Sequence, residues 1–166
     1  MSTVRAIRES LHRKSLASAR QRAALGRVLG LSETDVLAVQ HLARAGRMTP
    51  GQLGRLLALT SGGTTALVQR LERAGHLVRE PHPSDRRSVY VRLTPAIARR
   101  ASESLAPLVE EVERLAGELP AKDREVVARF LAQVADAGER HADELAIAAA
   151  NGERELSALA LPALWA

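Results

Sequence analysis

The chain has 166 residues, 46% hydrophobic and 26% charged, with a net charge of +5. That length supports a domain with its own core, and the balance is that of an ordinary soluble protein. With no cysteine in the sequence, disulfides, thiolate metal sites and thiol redox chemistry are excluded, which fits a cytoplasmic location. No apolar run approaches the ~20 residues that cross a bilayer, so no membrane role is expected.

The charge is unevenly placed. Residues 1–43 carry seven basic and three acidic side chains, residues 44–100 carry eleven arginines against Glu72, Glu80 and Asp85, and residues 101–166 carry six basic and thirteen acidic. A strongly basic centre beside an acidic end is the electrostatic footprint of a polyanion binder. A solvated charged surface is the plainer alternative.

In chain order, residues 1–30 are rich in Arg and Ser and nearly free of acid. They lack the continuous apolar stretch of a secretory signal. Their composition resembles a mitochondrial transit peptide, but Val4, Ile7 and Leu11 at helical spacing read equally as an ordinary first helix. Ser32 then caps a helix carrying Val36, Leu37, Val39, Leu42 and Ala43, and Gly46 stops it. Thr49-Pro50-Gly51-Gln52 forms a capping box with proline at the first helical position, opening a short helix whose Leu53, Leu56 and Leu57 are expected to face inward. Thr60 caps the next helix, which carries Leu67, Val68, Leu71 and Ala74 and ends at Gly75. Two short helices so close together make a helix-turn-helix.

Behind Gly75 the rhythm changes. In residues 76–94 Val89, Val91 and Leu93 alternate with Ser88, Tyr90 and Arg92, and Pro81 and Pro83 close the preceding strand. This predicts strand, turn, strand, with Asp85, Arg86 and Arg87 in the turn. A hairpin behind a helix-turn-helix is a winged helix. Thr94-Pro95 restarts helix. Leu105, Leu108, Val112, Leu115 and Leu119 form an apolar stripe, with a kink expected at Pro107. Pro120 opens a last helix reaching about Ala150, with Val127, Phe130, Leu131, Val134, His141 and Leu145 on one side. The apolar tail 151–166 is read three ways: a cover for the helices, a plug for a pocket, or disordered chain.

The run LTSGGTTALVQRLERAG followed by LVREPHPSDRRSVYVRLTP resembles the MarR family of bacterial transcriptional regulators. The likeness spans about residues 30–100 by motif and 1–148 by helix order. It implies a mainly α fold with a small β-hairpin wing. Residues 1–30 would be an N-terminal dimerisation helix, 31–95 the winged helix-turn-helix lobe, 96–150 the C-terminal dimerisation helices, and 151–166 the tail. It also implies a cytoplasmic, nucleoid-associated homodimer on a palindromic duplex operator, most simply a repressor released by a small aromatic or anionic ligand.

The expected DNA-binding residues are Ser61, Gly62, Gly63, Thr64, Thr65, Ala66, Gln69, Arg70, Arg73, Asp85, Arg86 and Arg87. Short side chains at a helix start let backbone N–H groups approach phosphate, and the hydroxyls of Ser61, Thr64 and Thr65 can bond phosphates or base edges. A loose helix start explains the glycines equally well. Gln69 can pair with adenine in the major groove and Ala66 can touch a thymine methyl. Arg70 and Arg73 suit phosphates. By resemblance Arg87 enters the minor groove, with Asp85 holding its guanidinium, and Arg86 faces phosphate. The small residues at 61 and 66 depart from the family, which often carries bulky or basic side chains there.

The five histidines show neither HxxxH nor HExxH spacing, so no metal or cofactor is expected. No nucleophile elbow, phosphate loop or carboxylate pair at useful spacing appears, so no enzyme is expected. Only Tyr90, Phe130 and Trp165 are aromatic, too few for the stacking platforms of single-strand binders, which favours duplex DNA. A winged helix used only for protein–protein contact, and a non-specific architectural DNA binder, are the two alternatives.

Overall fold

The computed structural model describes residues 2–81, 84 and 88–150. The element order is α1 (Thr3–Leu29), α2 (Glu33–Ala45), β1 (Arg47–Met48), α3 (Pro50–Leu56), α4 (Ser61–Arg73), β2 (Leu77–Pro81), β3 (Val89–Leu93), α5 (Pro95–Gly117) and α6 (Ala121–Ala150). This is a mainly α winged helix-turn-helix chain, as the sequence predicts. No described helix is long and apolar enough to cross a membrane.

The chain forms two compact units, residues 1–107 and 108–166, so the break falls directly after Pro107 within α5. The first unit holds the core. Val36, Val39 and Leu42 of α2, Leu53 of α3, Leu67, Val68 and Leu71 of α4, Leu77 and Val91 of the hairpin, and Ile97 of α5 are all essentially buried. One inward expectation is corrected: Leu56 is 52% exposed. Leu57, four residues after Leu53, packs against the core. Leu56, three residues after it, falls on the outer flank of a helix too short to bury more than one narrow side. In the second unit no described residue from 108 to 149 is buried.

The sheet has three antiparallel strands in the order β1-β3-β2. β2 and β3 pair with Leu77 opposite Leu93 and Pro81 opposite Val89. This register puts Leu77, Val91 and Leu93 on the core side. The third strand goes beyond the expected hairpin. Arg47 and Met48 pair with Arg92 and Val91, a ladder too short to leave an alternating pattern. It joins the start of the helix-turn-helix to the wing.

Helix ends repeat one device. After α4 the His76 N–H donates to the Leu71 carbonyl at 2.8 Å and the Gly75 N–H to the Glu72 carbonyl at 2.9 Å, with Gly75 at φ +72°. That is a Schellman close with glycine at the left-handed position. After α3 the same pair of bonds recurs, Leu59 N–H to Gly54 carbonyl at 2.9 Å and Ala58 N–H to Arg55 carbonyl at 3.1 Å. Here the left-handed residue is Ala58, at φ 51°. A Cβ in that region crowds the following carbonyl at a cost of ~1–2 kcal/mol. The turn of the helix-turn-helix is therefore strained where the turn behind it is not. Ala58→Gly should raise stability by about 0.5–1 kcal/mol net of the extra freedom of glycine in the unfolded chain, and Gly75→Ala should lower it by a similar amount. Urea unfolding of the two variants checks this; a loss of stability in Ala58→Gly would contradict the strain.

Candidate nucleic-acid interface

Helix α4 is built to show one side. Thr60 caps it, its hydroxyl accepting from the Gly63 N–H at 3.1 Å. Thr64, Leu67, Val68 and Leu71 recur at helical spacing and are buried. Ser61, Gly62, Thr65, Ala66, Gln69 and Arg73 recur on the opposite side and are exposed. Nothing lies within 4 Å of the Cβ that Gly62 lacks, so its smallness is not demanded by the chain's own packing. The hydroxyl of Thr65 donates to the Ser61 carbonyl at 2.9 Å, and Arg73 Nε donates to the Gln69 carbonyl at 3.2 Å. Gly63 sits at the edge of this face, half-buried beside Leu59 and the Thr60 hydroxyl.

Two of the expected contact residues have partners within the chain. Thr64 is only 6% exposed and its hydroxyl donates to the Thr60 carbonyl at 2.9 Å. It packs where α3 and α4 cross, so close that a Cβ on Gly54 would overlap its hydroxyl. Thr64 is thus a packing residue, turned inward with Leu67, Val68 and Leu71 by the helical repeat. Arg70 is the second. Its Nη2 donates to Asp35 Oδ1 at 2.6 Å and its Nε to Oδ2 at 3.3 Å. Two of its donors are thus fixed on a carboxylate of its own chain, while the side chain stays 51% exposed.

Asp35 carries no mark of function in the sequence, yet it ties the start of α2 to α4. It is 4% exposed. Its Oδ2 also accepts from the Ser32 hydroxyl at 2.7 Å and the Ser32 N–H at 3.3 Å, closing a capping box at the start of α2. Burial pushes this carboxyl up. The hydrogen bonds from Arg70 and Ser32, with the Arg70 charge, outweigh that and hold it below its ordinary value of 3.8. The pattern Ser-x-x-Asp before an apolar run was the only available signal, and it speaks of capping alone.

On the other flank of α4, Arg79 Nε of β2 donates to Glu72 Oε2 at 3.0 Å. Thr94 ties the base of the wing to the end of α4: its hydroxyl donates to the Gly75 carbonyl at 2.9 Å and its N–H to the His76 carbonyl at 2.9 Å. On the outer side of the sheet Arg92 pairs with Glu80 and the Arg47 guanidinium lies 4.6 Å from the Tyr90 ring centre. Asp85, Arg86 and Arg87 lie outside the described residues. Among the described residues no cluster of His, Asp and Glu could hold a metal.

The sequence matches the model described as MarR family over residues 29–88. It is 36% identical over 122 residues to YcgE, an uncharacterized HTH-type transcriptional regulator of Bacillus subtilis (strain 168), covering 74% of this chain and 79% of that one. The chain belongs to the MarR family. It is a transcriptional regulator of the winged-helix type, and membership implies DNA binding rather than catalysis. Solved structures agree on the fold. A mutant of MepR from a multidrug-resistant S. aureus clinical isolate superposes with a TM-score of 0.63 at 15% identity, covering 78% of this chain and 95% of that one. NadR in complex with 4-hydroxyphenylacetate superposes at 0.58 and 21% identity, covering 78% and 92%. Within this MarR-family frame α4 is the second helix of the helix-turn-helix and β2–β3 the wing.

The Asp35 pair has a pH signature. A carboxyl whose folded pKa is depressed adds stability above its unfolded pKa, ~3.9, and loses it as pH falls through the folded value. Asp35→Asn should therefore destabilise by about 1–3 kcal/mol at pH 7, where it leaves Arg70 without its countercharge. The gap to wild type should close as pH drops below ~4. Unfolding curves from neutral to acid pH measure this; a gap that persists undiminished in acid contradicts it.

Proposed function

We propose that the chain is a sequence-specific repressor that binds a palindromic operator as a homodimer in the bacterial cytoplasm and lets go when a small aromatic or anionic ligand binds. The observation that carries the DNA-reading part is the exposed face of α4. Ser61, Gly62, Thr65, Ala66 and Gln69 are short or hydrogen-bonding, a face slim enough for the backbone of a helix start to reach the major groove. Gln69 offers the donor–acceptor pair that adenine presents there, Ala66 a methyl for thymine, and Arg73 a cation for phosphate. Gly63 keeps the helix start narrow. Asp85, Arg86 and Arg87 belong to this reading as the wing tip, with Arg87 in the minor groove, Asp85 holding it and Arg86 on phosphate.

What supports the dimer is the second unit. Val112 and Leu115 on α5 and Val127, Phe130 and Leu131 on α6 are each at least 37% exposed. Two long helices with no buried described residue between 108 and 149 cannot be stable in water unless that apolar surface is covered. A second copy is the partner that a palindrome requires, with half-sites roughly 34 Å apart. The reading of a small aromatic anion as releasing ligand rests on NadR, whose crystals hold 4-hydroxyphenylacetate.

Two substitutions should behave differently. Gln69→Ala removes a base contact, so operator affinity should fall by about 1–3 kcal/mol while affinity for unrelated duplex holds. Arg73→Ala removes a phosphate contact, so both affinities should fall and the slope of log K against log salt should flatten by roughly one. Fluorescence anisotropy against an operator selected from genomic fragments decides. Failure to retain any fragment would favour protein–protein contact as the lobe's use, and equal affinity for all fragments an architectural role.

For the dimer, Phe130→Glu puts a charge where apolar contact is required. Sedimentation should show the wild type at twice the monomer mass at micromolar concentration and the variant shifted toward monomer, with operator affinity lost in parallel. A monomeric wild type that still binds the full palindrome tightly would overturn the dimer.

A further inference from the structure

The side chains of α4 fall into an inner row, an outer row and two flanks. At roughly 100° per residue, Arg70 stands on the flank next to Leu67, and Glu72 on the opposite flank next to Val68. Each flank carries an ion pair to a different element. Arg70 is held by Asp35 of α2 at 2.6 Å, and Glu72 holds Arg79 of β2 at 3.0 Å. Apolar packing of Leu67, Val68 and Leu71 fixes which side faces in, but rounded methyl surfaces tolerate small rotations. Two hydrogen-bonded ion pairs on opposite edges do not, because rolling α4 either way lengthens one of them.

We infer that Asp35 and Glu72 are positioning residues that set the roll of the recognition helix through Arg70 and Arg79. The inference rests on α4 reading DNA as proposed above. Neither carboxylate has any attraction for a phosphate backbone, so neither acts by contact. Roll matters because a turn of about 20° moves a side-chain tip ~5 Å from the helix axis by roughly 2 Å. That is more than a base-edge hydrogen bond tolerates. The α2 end of the clamp is itself rigid, since the same Asp35 carboxylate closes the Ser32 capping box. The recognition helix is thereby registered to the junction between α1 and α2 on one side and to the wing on the other.

The two possible roles of Arg70 give opposite signs. If Arg70 touches phosphate, Asp35→Asn frees it and removes a negative charge, so binding to every duplex tightens. If Asp35 positions α4, Asp35→Asn loosens operator binding while scrambled duplex is bound as before or slightly better. The test measures operator and scrambled-duplex affinity of full-length wild type, Asp35→Asn, Glu72→Gln and Arg70→Lys, well below each melting midpoint and with the oligomeric state checked by sedimentation. Asp35→Asn should lose operator affinity about tenfold with no loss on scrambled duplex. Arg70→Lys, which keeps the charge but not the two-point grip, should follow it. Glu72→Gln should lose less, because both members of its pair are 39% exposed. If Asp35→Asn does not fold, Glu72→Gln and Arg70→Lys carry the same prediction. Operator affinity equal to or above wild type in the folded variants overturns the inference while leaving the proposed function standing. Absence of operator binding by the wild type overturns both.

Discussion

The structure of the DNA-binding lobe depends on how one thirteen-residue helix is held. Helix α4 has to bury Thr64, Leu67, Val68 and Leu71 and at the same time present Ser61, Gly62, Thr65, Ala66 and Gln69. Its start is set by the Thr60 cap, its end by the glycine turn at Gly75, and its distance from α3 by the bare Cα of Gly54 against Thr64. What remains free after those three is rotation about the helix axis, and the ion pairs on the two flanks act on that. Breaking a buried carboxylate–arginine pair is costly, but set against apolar side chains of the same size the pair adds little stability. Its value here lies in direction.

Much of this was legible in advance, because it is local. Ser32, Thr49 with Gln52, and Thr60 each sit three residues before the N–H they satisfy. Gly46 and Gly75 stand where a left-handed backbone is needed. The wing announced itself by alternation against a helical background. Contacts that are distant in sequence were not legible. Asp35 and Arg70 are 35 residues apart, and nothing near either residue names the other. The two-residue strand β1 is below the length at which any period can be seen. For Thr64 a signal was present: the helical repeat places it with Leu67, Val68 and Leu71, and that outweighs its hydroxyl.

The two compact units solve different problems. Residues 1–107 carry the buried core, although Val4, Ile7 and Leu16 of α1 stay exposed. Residues 108–149 carry long amphipathic helices with their apolar positions exposed, and the proposed homodimer would cover them. The charge follows the same division, with arginine gathered in the lobe and acid beyond it. In the proposed reading, an acidic second unit would not compete for the polyanion and the lobe would be the face that meets it.

The natural absence of cysteine makes the central claim directly measurable. A single cysteine in place of Ala74, exposed at the end of α4 and outside the proposed contacts, can carry an iron–EDTA group that cuts nearby DNA. With α4 in the major groove of each half-site, cutting should be confined to two short patches about one helical turn apart and symmetric about the operator centre. A single patch, diffuse cutting along the duplex, or none while the labelled protein remains bound would show that α4 is not the reading element.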